Sequence, residues 1–298
     1  MKYQLLVFLI LVLTASISCK KTGDGATRVM TFNIRYGTAT DGENAWEHRK
    51  KILIDCLSKH QPDILGVQEA HDYQVDEIKT AFPHYQAFGV GRYQNVEVPD
   101  RPQESMKGES CTILYDTTKF KLIEQGTFWH SDTPDLAASI SWGNIYPRIT
   151  TWGILAKHHK NAKPFLVMNT HFSGRESYVS NTASLNMRKR REIAGSMPAI
   201  FMGDFNLAPA SDAHQLFCGK AGPLDLRGNF IDGWQALHKS EQDAGTGHSY
   251  TGSKSQARID WILSTPEFVV DDIEIIYDNV NGLYPSDHYP VLAELKFD

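Results

Sequence analysis

The chain contains few cysteines, and none of them stands at a spacing that would hold zinc. Four cysteines occur in 298 residues. Cys56, Cys111 and Cys218 are widely separated, and no CxxC pair is present. After Cys19 three cysteines remain, and this odd number at wide spacing predicts neither a disulfide framework nor a zinc–cysteine site.

The chain also lacks an excess of basic residues. It carries 30 lysines and arginines against 35 aspartates and glutamates, a formal net charge of −5. Proteins that bind duplex DNA usually present a basic surface, so this balance disfavours a nucleic-acid partner. The run MRKRR at 187–191 is a local exception. Such a run can contact a polyanion, but it is more often the solvated face of a helix.

No hydrophobic run is long enough to span a membrane. The apolar stretch from Leu5 to Leu13 is well short of the roughly 20 residues that a spanning helix needs. Lys2 precedes it and small residues follow, which is typical of a secretory signal. Cys19 then resembles the lipidation site of a bacterial lipoprotein, which predicts a diacylated Cys19 in the cell envelope, on the periplasmic face or cell surface. Plain secretion is the alternative. The predicted division is a signal peptide 1–18, a tether 19–27 and a catalytic domain 28–298.

No linker, repeat or low-complexity tract divides the chain after residue 27, so one domain is expected. Apolar residues at helical spacing predict helices, whereas short β-branched and apolar runs predict strands. The strands outnumber the helices, which favours an α+β protein with a mixed sheet core and helices outside it. The predicted helices are 46–60, 73–81 and 181–195, and the predicted strands are 28–36, 64–68, 85–89, 112–115, 121–124, 150–156, 165–169, 199–202, 261–263, 268–276 and 289–295.

Polar side chains that can bind metals or phosphate follow several of these apolar runs. Oxygen ligands at the ends of different strands can converge on one hard cation, for which Mg²⁺ or Mn²⁺ is the best match. The sequence therefore predicts a metal-dependent phosphoester hydrolase. The residues concerned are Asn33, Glu69, His171, Asp204, Asn206, Asp260, Asp287 and His288.

Two short segments place functional groups side by side. Asp204 and Asn206 in GDFN are two residues apart, so an extended backbone points both toward one face. The alternative for any isolated DFN is an Asx turn that caps a helix. Asp287 and His288 are adjacent and can both reach a site from a loop. Asp260 is predicted to hold His288 in one tautomer, as carboxylates commonly do for catalytic imidazoles.

The motifs TFNIR, QE, NTHF, GDFN, RIDWI and SDHYPV follow one another between Thr31 and Val291. In this order they resemble the endonuclease/exonuclease/phosphatase superfamily, and within it a bacterial branch related to the nocturnin-type enzymes. The resemblance implies a four-layer α/β/β/α sandwich, with two mixed sheets between helices and the site at one edge. It also implies direct attack on phosphorus by a metal-assisted water, with no covalent intermediate.

The resemblance further implies a role for each polar residue. Glu69, Asn33 and Asp287 would form the metal shell, while Asp204 would orient or deprotonate the attacking water and Asn206 would hold it or a phosphoryl oxygen. His171 would donate to a nonbridging oxygen, and His288 would contact the scissile phosphate. Arg148 is a weaker candidate for binding the phosphate, and a surface ion pair is an almost equal alternative.

Three functions remain open from the sequence. An exported, monomeric hydrolase of a phosphorylated sugar, nucleotide or lipid head group fits the signal, the acidic balance and the motifs. A secreted nuclease and a noncatalytic binding lipoprotein are the alternatives. Aromatic residues in or directly beside the segments 37–47, 91–108 and 130–147 either stack on a base or sugar ring or pin these loops to the protein body; they are Trp46, Tyr93, Trp129, Trp142 and Tyr146.

Overall fold

The computed structural model describes residues 25–94, 96, 107–174 and 176–297, without the side chains of 176–178. The predicted signal peptide, Cys19 and most of the predicted tether lie outside these residues. Within the described ranges, no helix has both the length and the apolar character to cross a membrane.

The helices lie on the outside of the sheets. Helix α1 (Trp46–His60) buries Ile52, Leu53, Cys56 and Leu57, the positions whose spacing predicts it. It ends at His60, and the next residue, Gln61, caps it with a left-handed backbone (φ 41°) directly before Pro62. The helices are a 3₁₀ turn Gly42–Asn44, α1 (Trp46–His60), α2 (Asp72–Ala81), α3 (Glu176–Ala194), α4 (Asp212–Phe217) and α5 (Gly233–Leu237).

The strands of the described chain form two six-stranded sheets. The strands are β1 (Thr27–Asn33), β2 (Ile64–Gln68), β3 (Tyr85–Phe88), β4 (Ile113–Asp116), β5 (Phe120–Trp129), β6 (Ile149–Lys157), β7 (Phe165–His171), β8 (Ala199–Asp204), β9 (Ile231–Asp232), β10 (Asp260–Ser264), β11 (Val269–Ile275) and β12 (Val291–Lys296). The first sheet has the order β11-β12-β1-β2-β4-β3, and the second has the order β5-β6-β7-β8-β10-β9. Both are mixed, because β1 pairs with β2 and β7 with β8 in parallel while the other neighbours are antiparallel.

Alternate side chains of the central strands enter different hydrophobic layers. Val29 of the first sheet and Val167 of the second sheet both lie in the central core between the two sheets. The next residue on each strand points outward: Met30 packs under α1 and α2, and Met168 packs under α3 and α4. Central strands buried on both faces explain the nearly continuous apolar runs in the sequence. The predicted α+β class and the four-layer sandwich are therefore confirmed.

Two elements extend five residues beyond their predicted bounds at one end. Helix α3 begins at Glu176, five residues before the predicted start. Strand β5 continues through Gly126 to Trp129 instead of ending at Glu124. The missing side chain at Gly126 leaves room for the ring of Trp152 on the neighbouring strand.

A buried ionic network fixes the start of β10, directly before Asp260. The guanidinium of Arg258, only 2% exposed, donates to Asp232 at 2.8 Å and to Glu241 at 2.8 and 2.9 Å. His214 lies 2.8 Å from the same Asp232 carboxylate. The arginine of the RIDWI motif thus holds the backbone that carries Asp260.

Candidate active site

The predicted site residues meet where the two sheets present the ends of their central strands. Asn33 ends β1, His171 ends β7 and Asp204 ends β8. Parallel strands bring their carboxyl ends to one edge, and the register places His171 beside Asp204. Asp260 begins the antiparallel β10 and pairs with Asp204 from the other side. Strand pairing therefore explains why residues far apart in the sequence converge.

The GDFN turn depends on its glycine. A Cβ atom at Gly203 would collide with the backbone carbonyl of Thr170 on β7. After Asp204 the chain turns at Asn206, which has a left-handed φ of 53°, and the Asn206 N–H donates to Asp204 Oδ1 at 2.8 Å. This is an Asx turn, but α4 starts only at Asp212 with Ser211 as its cap. The turn therefore shapes the site and does not cap a helix.

Asn33 holds two carboxylates from different sheets. Its Nδ2 donates to Asp204 Oδ2 at 2.9 Å and to Glu69 Oε1 at 3.1 Å. Its Oδ1 accepts the backbone N–H of Arg35 at 3.0 Å. In this arrangement Asn33 positions both carboxylates through its nitrogen. Its role as a metal ligand stays a prediction, because only the second lone pair of Oδ1 is left to bind a cation.

His288 lies between two buried aspartates. Its Nδ1–H donates to Asp260 Oδ2 at 2.9 Å, and its Nε2 is 3.8 Å from Asp204 Oδ2. Burial alone would lower the pKa of His288, but the carboxylates of Asp260 and Asp204 raise it well above the ordinary 6.5. Burial, reinforced by Asp260, raises the pKa of Asp204 to about 7. His288 is therefore a cation at neutral pH, with Nε2–H directed at the Asp204 carboxylate.

His171 approaches Asp204 from the neighbouring strand β7, and its ring differs in charge from that of His288. Its Nε2 is 3.5 Å from Asp204 Oδ2 and 2.9 Å from Asn206 Nδ2. The same Nδ2 donates to the Phe172 carbonyl at 3.1 Å, which orients the amide so that His171 Nε2 accepts. Burial lowers the pKa of His171 well below its ordinary value. The ring is therefore neutral and carries its proton on Nδ1, so any bond it donates to a phosphate must come from that nitrogen.

Glu69 and Asp287 face one guanidinium without a hydrogen bond to it. Arg35 binds Asp41 with two contacts of 3.0 Å, while its nearest distances to Glu69 Oε2 and Asp287 Oδ2 are both 3.9 Å. Burial raises the pKa of Asp287, and the charge of Glu69 adds to that effect. Two incompletely neutralised carboxylates with oxygen-only donors fit a hard divalent cation.

The backbone at this edge adopts conformations that are uncommon for residues with side chains. Arg35 and Glu69 have left-handed φ angles of 55° and 59°, as Asn206 does. Such conformations persist where the surrounding structure enforces them, and they concentrate at functional sites. The turns after β1, β2 and β8 are thus shaped to aim Asn33, Glu69 and Asp204 inward.

A cavity of about 420 Å³ opens beside Glu69, His171 and Asn206. Arg148 lines it. Among the described residues its guanidinium forms no hydrogen bond or ion pair, although the carboxylates of Glu109, Asp204 and Glu69 act on it from a longer distance. The surface ion pair considered from the sequence is therefore not formed within the described chain. Arg92 and Glu109 also line the cavity and were not identified from the sequence, because the loop that carries them has neither strand periodicity nor a recognisable motif.

Most of the loop aromatics pin their loops to the body. Trp46, Tyr93 and Trp129 are buried, and Trp129 Nε1 donates to the Arg92 carbonyl at 2.6 Å. Tyr146 differs, because it is 39% exposed and lines the cavity. Only Tyr146 among these five combines exposure with a position beside the site.

The chain matches known proteins over nearly all of the described fold. A family model described as the Endonuclease/Exonuclease/phosphatase family covers residues 30–288. The mannosyl-6-phosphatase of Bacteroides thetaiotaomicron is 30% identical, with a TM-score of 0.76 over 91% of this chain and 100% of that one. The human nocturnin catalytic domain shares the fold at 21% identity, with a TM-score of 0.70 over 92% of this chain and 94% of that one.

A curated relative is larger than the matched region. Protein angel of Drosophila melanogaster is 25% identical over 225 residues, which cover 74% of this chain and 59% of the relative. The chain therefore spans well under two thirds of that protein.

Proposed function

The chain belongs to the endonuclease/exonuclease/phosphatase family and is a hydrolase of phosphoester bonds; from this premise we propose that it is an exported, Mg²⁺- or Mn²⁺-dependent phosphatase or phosphodiesterase of small molecules. The observation that carries the proposal is the contact of Asn33 with both Asp204 and Glu69. This contact places the buried carboxylate of Asp204, which can activate a water, next to the carboxylate of Glu69, which can bind a cation.

The residues divide the work of hydrolysis between them. Asp204 accepts a proton from the attacking water while Asn206 holds that water or a phosphoryl oxygen. The cationic His288 and Arg148, which forms no ion pair within the described residues, stabilise the negative charge of the phosphoryl oxygens. Glu69 and Asp287, with Asn33, would hold the divalent cation, which when bound would polarise the phosphoryl group and neutralise charge on the leaving oxygen.

A small phosphorylated molecule or a lipid head group is the proposed substrate. The similar Bacteroides protein is named a mannosyl-6-phosphatase, which supports a small leaving group. The net charge of −5 works against steering of a polynucleotide, since that attraction depends on positive charge.

The first test is a release assay on the purified protein with Mg²⁺ or Mn²⁺ and then with a chelator. The panel holds sugar phosphates, nucleotides, phospholipid head groups, and single-stranded and duplex nucleic acids. We expect release of phosphate from a small ester, lost on chelation and restored by added cation. Degradation of polynucleotides would replace this function with a nuclease, and turnover that survives chelation would contradict the metal role. If the chain binds cation but hydrolyses nothing in the panel, the proposal fails and the binding protein is favoured.

Export through a lipid anchor is the second part of the proposal, and it rests on the sequence around Cys19. Cells that express the full chain are grown with a labelled lipid precursor. The wild-type chain is expected to take up label and Cys19→Ala is not, with Cys56→Ala as a matched control that keeps its label. The lipid anchor would be contradicted if the wild type and Cys19→Ala were labelled equally, or if neither were labelled. A monomeric state is proposed and is tested by light scattering of the same protein.

A further inference from the structure

We propose that Arg92, Glu109 and Tyr146 form a subsite for the leaving group, and that this subsite selects a single hydroxylated ring such as a hexose. The substrate class would then be a sugar phosphate. The inference rests on the proposed function and specifies the substrate of that same site.

The cavity lies on the side of the site where a leaving group belongs. Its lining includes Glu69 together with Arg148, His171 and Asn206, the residues proposed to contact phosphoryl oxygens, whereas Asp204 and His288 lie outside the lining. Water activated at Asp204 attacks phosphorus from one side, and the leaving oxygen departs on the opposite side in an in-line displacement. The group attached to that oxygen therefore occupies the cavity beside Glu69.

Arg92 and Glu109 are held in a fixed geometry on the cavity wall. Arg92 donates from its two terminal nitrogens to the two oxygens of Glu109, at 2.7 and 3.0 Å. The backbone N–H of Arg92 also donates to the Glu109 carbonyl at 2.9 Å, and the Arg92 carbonyl accepts a hydrogen bond from Trp129 Nε1. A fork-to-fork pair of this kind is rigid and specific in geometry. Because its side chains are already ordered, little conformational entropy is lost when a ligand binds.

The pair offers the hydrogen bonds that a ring with several hydroxyl groups needs. A guanidinium has five N–H donors, and each carboxylate oxygen can accept more than one bond, so both groups keep capacity after pairing. A hydroxyl group both donates and accepts, and can therefore bridge Arg92 and Glu109. Glu109 would repel a second phosphate, so the pair suits a neutral polyol better than a diphosphate.

Tyr146 completes the subsite with an aromatic face. Its ring lies 5.1 Å from the Arg92 guanidinium carbon, and Tyr93 lies 5.5 Å from it on the buried side. Tyr146 is 39% exposed, so its ring is accessible to the apolar face of a sugar. A cavity of about 420 Å³ is of the size that encloses one small ligand.

The test compares two substrates that differ only in their hydroxyl groups. Mannose 6-phosphate has the proposed leaving group, and cyclohexylmethyl phosphate keeps the ring and the ester but has no hydroxyl. For the wild type we expect kcat/KM at least tenfold higher for the sugar phosphate. Glu109→Gln and Arg92→Lys are expected to lower kcat/KM for mannose 6-phosphate by about 10- to 100-fold, the range for a lost hydrogen bond to a charged group. Arg92→Lys should stay within about threefold of wild type on cyclohexylmethyl phosphate. The Glu109 carboxylate lies within 4.8 Å of Glu69 and of His171, so Glu109→Gln is compared with wild type at saturating cation, where a loss confined to the sugar phosphate reports the subsite.

Arg188→Gln, an exposed change on α3, is the matched control and should leave both rates unchanged. Arg92→Lys keeps the charge, and its melting temperature shows whether the fold is intact. An equal loss on both substrates would overturn the subsite and assign the pair a structural role near Glu69. A wild type that hydrolyses both esters equally would overturn the subsite while the proposed function stands. Absence of hydrolysis for every phosphoester would refute the proposed function itself.

Discussion

Asp204→Asn is expected to lower kcat by about 10²- to 10⁴-fold, the contribution of a positioned general base. Asparagine keeps the size of the side chain and can still accept from the Asn206 N–H, but it cannot take a proton from water. Asp204 is 1% exposed and is contacted by side chains of both sheets, Asn33 from the first and His171 from the second. The loss should appear in kcat more than in KM, because the proton transfer belongs to the transition state.

The measurement is a kcat determination at saturating substrate, with Mn²⁺ varied to show that the cation still binds. Asp212→Asn, an exposed change at the start of α4, serves as the matched acidic control. A variant that keeps kcat within tenfold of wild type at saturating cation would remove Asp204 from the role of base. A defect rescued entirely by more cation would instead make Asp204 a metal ligand.

The sequence predicted most of the catalytic edge because strand ends carry a local signal. Asn33, Glu69, His171 and Asp204 each follow an apolar run, and pairing of parallel strands then brings them to one edge. Their individual chemical roles remain predictions, since they depend on a cation and a substrate.

The cavity could not be predicted in the same way, because no periodic element builds its wall. Arg92 and Glu109 are seventeen positions apart and meet through an irregular antiparallel bridge, Gly91 to Ser110, between separated parts of one loop. A bidentate ion pair between loop residues has no sequence period. Arg35 was missed for a different reason. It lies inside the TFNIR motif, but the left-handed turn that aims it at Asp41 is a tertiary feature.

Local propensity also failed where a neighbouring side chain decided the outcome. The sequence predicts that this strand ends at Glu124, yet β5 continues through Gly126, where the Trp152 ring on β6 fills the space that a Cβ would take. Glycine in a strand often marks such a close approach. The register of β5 therefore depends on a residue 26 positions away, which a single window of sequence does not contain.

The second large effect is expected at Asp260, which acts on the phosphate only through His288. In Asp260→Asn the amide can donate to His288 Nδ1, which removes the proton from that nitrogen and the charge from the ring. A comparable change in the Ser-His-Asp triad lowers kcat by ~10⁴-fold through the wrong tautomer. We expect a fall of about 10²- to 10⁴-fold here, because a neutral His288 offers less stabilisation to the developing phosphoryl charge.

The pH dependence distinguishes this role from a merely structural one. In the wild type the carboxylates of Asp260 and Asp204 raise the pKa of His288, so the ring stays cationic at neutral pH. Without the Asp260 charge, burial dominates and the pKa of His288 falls, so its ring should become cationic again only as the pH is lowered toward that new value. Activity returns with that charge only over the pH range in which the general base Asp204, whose pKa burial raises to about 7 in the wild type, remains ionised. The kcat–pH profile checks this, together with the ¹⁵N shifts of His288, which report the protonated nitrogen. A variant with reduced kcat but a wild-type pH profile and wild-type ¹⁵N shifts would show that Asp260 supports only the fold of β10. Recovery at low pH would instead show that the charge on His288 is what the buried aspartate supplies.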